Sequence, residues 1–231
     1  TVHNYNMLTE DFLPLYDMIK VLDLDKKKKI KGLSAQRADI LPAALAVIRA
    51  FVGYMHVDNF TISGAGLREG IMFNQALPST IEKPVSDVLT YSLTTLVKWY
   101  DCDEHHVEHV VNLSIQLFKQ LRVLHKFPRQ YLKVLKVAAT LHDCGMRIKY
   151  YNHQRHSWYM ILNANLYGVS HREIVLAAFT ACCHKKEDIN PLDWARFKDI
   201  LHEDDIEIVK RLGVMLRIAE SLDRSMSGCI K

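Results

Sequence analysis

The chain has 231 residues, 49% of them apolar, with only 9 Gly and 6 Pro, which excludes a disordered or collagen-like polypeptide and allows one large domain or two small ones. Its 30 basic and 26 acidic residues leave a net charge of +4, too small to predict a nucleic-acid partner without a local basic patch. The 12 histidines stand out, because imidazole is both a metal ligand and the side chain that titrates near neutrality.

In chain order, apolar periodicity predicts a helix over Leu8 to Leu22, a basic break at Lys26 to Lys29 that reads as a solvated loop, and an amphipathic helix over Gln36 to Met55. Val57 to Ser63 reads as a strand, closed by the turn Ser63-Gly64-Ala65-Gly66 and followed by a helix over Leu67 to Leu77. A single strand cannot satisfy its own backbone groups, so either a partner hides in a segment without strand periodicity or the sheet lies outside the chain. Pro78 to Pro84, with two prolines and little periodicity, is the expected linker. Beyond it helices are predicted over Val85 to Tyr100, Glu104 to Lys126, Arg129 to Met146, a short stretch from His156, Ser170 to Cys183 and Glu203 to Leu222. The fold class is therefore mainly α, with an α/β segment at 1–77 and an all-α domain at 85–231.

Five cysteines without CxxC spacing predict neither a disulfide framework nor a cysteine zinc site, and a reducing, cytoplasmic setting follows. Arg49 interrupts the best apolar run, Ile40 to Met55, short of the roughly 18 to 20 residues that span a bilayer, so no membrane partner is expected.

Placed on the helices, His106 continues into Val110, Leu113, Leu117, Leu121 and Leu124 and points inward, whereas His105 lies along a solvated face with His109, Asn112, Gln116 and Lys119. His142 shares a side with Leu135, Ala138 and Ala139, and Asp143 follows at once. Asp223 continues the line of Leu212, Leu216 and Ala219. A buried carboxylate needs a cation or several donors. Two imidazoles and two carboxylates converging without Lys or Arg therefore predict a divalent metal held by His106, His142, Asp143 and Asp223, with Mg²⁺, Mn²⁺, Fe or Zn²⁺ all compatible. His156 and His184 are further inward candidates, for a second metal or for a phosphate. His109, His125, His153, His171 and His202 are expected to be structural or surface residues.

His106, then Leu141-His142-Asp143-Cys144-Gly145, then Leu222-Asp223 is similar to the H…HD…D signature of HD-domain metal-dependent phosphohydrolases. Adding Arg155-His156-Ser157, Gly168-Val169-Ser170, His184-Lys185-Lys186 and Arg217 to Arg224, the second part resembles the HD-type helical domain of the Ppx/GppA family, exopolyphosphatases and guanosine pentaphosphate phosphohydrolases. Gly32-Leu33, Arg37-Ala38-Asp39-Ile40 and Gly66-Leu67-Arg68-Glu69-Gly70 resemble the end of that family's actin-like (ribonuclease H-like) phosphatase domain.

The resemblance implies an HD-type bundle preceded by an incomplete actin-like segment. It also implies a parent protein that hydrolyses phosphoanhydrides, with polyphosphate or guanosine polyphosphate as ligand and a homodimer as the assembly. In the family the phosphate-binding glycine-rich loops and the acid that positions water lie upstream of the segments matched here. The family's exopolyphosphatase site is thus carried onto no residue of this chain, which reads as a fragment. An active HD centre would use its metal to acidify water and polarise a phosphoryl oxygen. Asp143, His156, His184 and Lys185 would then be the catalytic set. The alternative is a helical module for polyphosphate binding and dimerisation without chemistry of its own, its basic lining formed by Arg147, Lys149, Arg155, Lys185 and Lys186. A structural metal or a polar core network is the third reading.

Overall fold

The structure, a computed structural model, describes residues 5–76, 87–186 and 189–230. Two compact units divide the chain, Val2–Arg68 and Glu69–Lys231. The linker expected over 78–84 lies outside the described residues.

The first unit opens with strand β1 (Tyr5–Leu8), helix α1 (Thr9–Val21), the short α2 (Leu24–Lys28), α3 (Leu41–Met55) and strand β2 (Asn59–Ile62). β1 and β2 pair antiparallel, Tyr5 opposite Ile62 and Leu8 opposite Asn59. The strand predicted over Val57 to Ser63 thus has its partner in the four residues before α1, too short a segment for strand periodicity to register. Thr9 locks the strand-to-helix junction, its amide donating to Asp58 O at 2.8 Å and its hydroxyl to Val57 O at 2.7 Å. α1 packs on α3, with Phe12 edge-on to Phe60 at 5.3 Å. The lysine run, expected as a loop, supplies most of α2, whose N-cap is the Asp23 carboxylate accepting from Lys26 N.

α4 (Leu67–Ala76) begins at the end of this unit. The second unit continues with α5 (Val88–Trp99), α6 (Glu104–Gln120), the short α7 (Arg122–His125), α8 (Tyr131–Leu141), α9 (His153–Asn163), α10 (His171–Cys182), the short α11 (Pro191–Ala195) and α12 (Asp205–Leu222). The described chain is mainly α, as the periodicity predicts. The helix expected to run unbroken from Glu104 to Lys126 ends at Gln120, because the His125 ring takes over backbone bonding: Nε2 donates to Phe118 O at 2.7 Å and Nδ1 accepts from Phe127 N at 2.9 Å.

α6, α8, α10 and α12 pack around one core, with α9 against α10. Val110, Leu135, Ala138, Leu176, Ala177, Leu212, Leu216 and Ala219 are wholly buried at its centre. Small residues set the closest approaches. A Cβ at Gly213 of α12 would stand 2.6 Å from Cys183 Cβ, so only glycine lets α12 come this near the end of α10. Arg217 then donates to the Cys183 carbonyl at 3.0 Å, fixing the turn that carries His184. Ser170 and Glu173 form a capping box that starts α10. Among the described residues no helix is long and apolar enough to cross a membrane.

Candidate metal centre

Four segments of the second unit deliver buried imidazoles and one carboxylate to a common point. α6 brings His106 one turn inside its N-terminus, where the Asp103 carboxylate accepts from the His106 amide at 2.9 Å. α8 ends at Leu141 and passes its C-cap position to His142, with Asp143 leading into the tight turn Cys144–Arg147. That turn lies against α9 so closely that a Cβ on Gly145 would sit 2.2 Å from His153 O and 2.4 Å from Ser157 N. The Gly145 amide uses the contact, donating to Ser157 Oγ at 2.9 Å. α9 contributes His153 and the turn after α10 contributes His184. His142, His153 and His184 are fully buried.

The protonation pattern follows from the hydrogen bonds. His142 Nδ1 lies 2.8 Å from Ala139 O, His153 Nδ1 2.7 Å from Tyr150 O, and His184 Nδ1 2.7 Å from Ala181 O. A carbonyl can only accept, so each Nδ1 carries its ring's hydrogen and, in a neutral ring, each Nε2 presents a bare lone pair. His106 is fixed the same way by Asp223 Oδ2, 2.8 Å from its Nδ1.

Those bare nitrogens converge on Asp143. His153 Nε2 and His184 Nε2 stand 3.1 and 3.5 Å from Oδ1, while His142 Nε2 and His106 Nε2 stand 3.5 and 4.0 Å from Oδ2. His153 Nε2 and His184 Nε2 are themselves 3.0 Å apart, lone pair against lone pair. His142 Nε2 and Asp143 Oδ1 are buried without a hydrogen-bond partner. Burial, above all, pushes the His184 imidazole down to about 3, so that ring is neutral at physiological pH. Burial pushes the Asp143 carboxyl up, but positive charge on the His142, His153 and His184 rings, once they are protonated, outweighs it and holds the group below the usual carboxylate range. Acceptors facing acceptors in a dry cavity are repulsive, and a cation among them turns every contact favourable. Two groups, His106-His142-Asp143 and Asp143-His153-His184, each bring one ligand atom per residue within 4.8 Å and could hold a metal ion.

The structure brings together His106, His142, Asp143 and His184 of the residues singled out from the sequence. It sets Asp223 behind His106 instead of among the converging atoms. Oδ2 holds the His106 ring and Oδ1 accepts from Gly228 N at 2.9 Å, so both oxygens are engaged. Burial pushes the Asp223 carboxyl up, and the hydrogen bonds from His106 and Gly228 N, together with the attraction of His106 and His109, more than offset it and leave this carboxylate below its usual range. A carboxylate held this way fixes the orientation and tautomer of the His106 ring.

His156, expected inward, is a half-buried residue outside both groups, and His153, expected to be structural, holds the inner position. The reason is helical phase: α9 buries His153, Ser157 and Ile161 at steps of four, which leaves His156 on the flank. Of the expected basic lining, Arg155 pairs with Asp193 at 3.0 Å and Arg147 with Asp101 at 3.2 Å, so both are turned to carboxylates. Lys149, Lys185 and Lys186 are exposed. Burial pushes the Cys144 thiol, next to Asp143, up to about 12, and Cys144 belongs to neither group that could hold a metal.

The sequence matches the Ppx/GppA phosphatase family over residues 1–79 and Ppx/GppA phosphatase, domain III, over residues 88–231. Among curated relatives, guanosine-5'-triphosphate,3'-diphosphate pyrophosphatase of Aeromonas salmonicida is 28% identical over 141 residues, 61% of this chain and 28% of the relative. The protein of the same name from Aliivibrio fischeri is 29% identical over 153 residues, 66% of this chain and 29% of its own length. That of Pseudoalteromonas translucida is 26% identical over 175 residues, 74% of this chain and 33% of its own length. The chain thus spans about a third or less of these relatives, and it belongs to the Ppx/GppA phosphatase family.

Proposed function

We propose that the helical unit carries a divalent-metal phosphohydrolase centre within a protein that hydrolyses phosphoanhydrides, with guanosine polyphosphate or inorganic polyphosphate as substrate. The relatives' printed name supports the reaction class. One observation carries the metal: unprotonated imidazole nitrogens crowd a buried carboxylate that has an oxygen without a hydrogen-bond partner. His106, His142 and Asp143 would hold an ion on one side, and Asp143, His153 and His184 on the other, with Asp143 shared between them. A bound divalent ion supplies neutralisation of phosphoryl charge and acidifies water, so that hydrolysis runs near neutral pH.

The chain's own residues do the positioning. The Ala139, Tyr150 and Ala181 carbonyls fix three ring tautomers, and Asp223 fixes the fourth. Lys185, exposed and adjacent to His184, is placed to meet phosphoryl oxygens entering from solvent. The same reading places a homodimer in the cytoplasm, checked by solution mass and by fractionation.

Metal analysis after equilibration with Mn²⁺ is the test. The expected result is retention of divalent ion by the wild-type chain, its loss in His142→Ala, and Mn²⁺-dependent release of phosphate that His142→Ala lacks. Absence of any bound divalent ion from the wild-type chain would sink the metal centre. Exposed Lys149, Lys185 and Lys186 favour the second reading, a polyphosphate-binding module without chemistry; it predicts binding that survives chelation and weakens steeply with salt.

A further inference from the structure

The turn that enters α9 has a composition the metal centre does not explain. Met146-Arg147-Ile148-Lys149-Tyr150-Tyr151 alternates cations with apolar and aromatic side chains, all of them exposed. Tyr150 is 62% and Tyr151 73% exposed, so neither ring contributes much to the core. Their backbone is nonetheless tied to the centre, since the Tyr150 carbonyl is the group that sets the His153 tautomer.

The rings sit at the edge of that centre. Tyr150 and His153 have ring centroids 5.7 Å apart, and Tyr151 meets Tyr150 edge-on at 5.7 Å. Lys185, the neighbour of His184, reaches across and places its Nζ 4.9 Å from the Tyr150 centroid. A tyrosine face that is exposed and already engages a cation is a stacking platform for a planar ring. Linear polyphosphate has no surface to offer it. A nucleoside phosphate does, and a base on Tyr150 leaves its phosphates within reach of Lys185.

We infer that Tyr150 and Tyr151 form a base-binding subsite, so that the ligand of the helical unit is a nucleoside phosphate whose base stacks on Tyr150 while Lys185 moves from the ring to the phosphates. The inference rests on the phosphohydrolase reading for the role of the bound phosphates, though not for binding of the base.

Calorimetric titration of the whole chain with GTP and with tripolyphosphate tests it, because the two share a triphosphate and differ by the nucleoside. In chelator, GTP is expected to bind about tenfold or more tighter than tripolyphosphate, the scale of stacking one base on an aromatic ring. Tyr150→Ala should erase the preference, Tyr150→Phe should keep it, and tripolyphosphate binding should not change in either. Equal affinities for the two ligands, no detectable binding of GTP, or a preference that survives Tyr150→Ala combined with Tyr151→Ala would each overturn the subsite. Metal content measured on the same samples separates the two claims. A preference retained by a chain that binds no metal overturns the metal centre alone, and equal affinities in a metal-loaded chain overturn the subsite alone.

Discussion

The two units bury their apolar residues in opposite measure. In the first, the wholly or nearly buried hydrophobic residues are Phe12, Tyr16, Ile19, Ala38 and Val52, while Val47, Phe51 and Tyr54 of α3 are 65%, 68% and 82% exposed. Among the described residues its sheet has two strands, and an isolated two-stranded ribbon is marginal in water. In the second, one cluster runs from Leu93 to Ala219, and beside it the fully buried Asp205 at the start of α12 pairs with Arg172 and accepts from His202 N. A unit can hold four imidazoles and a carboxylate together in its interior only when the surrounding core is large enough to offset their desolvation. The groups that could hold a metal therefore lie in the unit with the larger core.

Separating the units gives the largest expected effect. Residues 87–231 alone should unfold in one cooperative thermal transition and retain the ion, whereas residues 1–76 alone should show none. Cooperative melting of the short piece, followed by circular dichroism, would break the contrast. Within the intact chain, Leu135→Ala should cost about 2–5 kcal/mol, because Leu135 is fully buried between helices. Phe51→Ala should change stability by less than about 0.5 kcal/mol, since its ring is mostly in water. Chemical denaturation of both variants measures the difference.

The same contrast explains what the sequence made legible. The second unit's helices are amphipathic over three turns or more, so the positions of His106, His142 and Asp143 followed from the phase of Val110, Leu135 and Ala138. α9 was harder. It has 11 residues and polar groups on most sides, so the histidine nearest the middle of the motif, His156, attracted the assignment. A signal was present: tracing the buried step of four backwards from Ile161 through Ser157 lands on His153. Asp223 is buried, as its helix phase indicated, but its 2.8 Å contact to His106 Nδ1 is a tertiary fact that no pattern of residues shows. β1 was illegible because its side chains are exposed or half-buried and show no apolar alternation. The part His125 plays in ending α6 depends on a ring reaching Phe118 O, a tertiary fact.

Acid provides the finest probe of the comparison. His184 is neutral and buried, with its imidazole pushed from 6.5 down to about 3, while among the described residues the first unit's histidine, His56, is exposed. Between these two values the unfolded chain binds a proton at position 184 that the folded chain does not. Stability is therefore fully present above pH 6.5 and is lost as the pH falls towards 3, by up to about 1.4 kcal/mol per pH unit, a tenfold change in the unfolding constant. The Asp143 carboxyl, held below its ordinary 3.8, adds its own loss only from about pH 5 downward, so the interval from about pH 5 to 6.5 separates the imidazole from it. Denaturation of the chelated chain across that interval should show the decline. His184→Gln should be less stable at pH 7.5 yet fall less steeply, having no ring to protonate on unfolding. Parallel slopes for the two proteins would mean that position 184 takes up its proton in the folded state, and the repulsion assigned to the bare nitrogens would be relieved by protons in place of a metal ion.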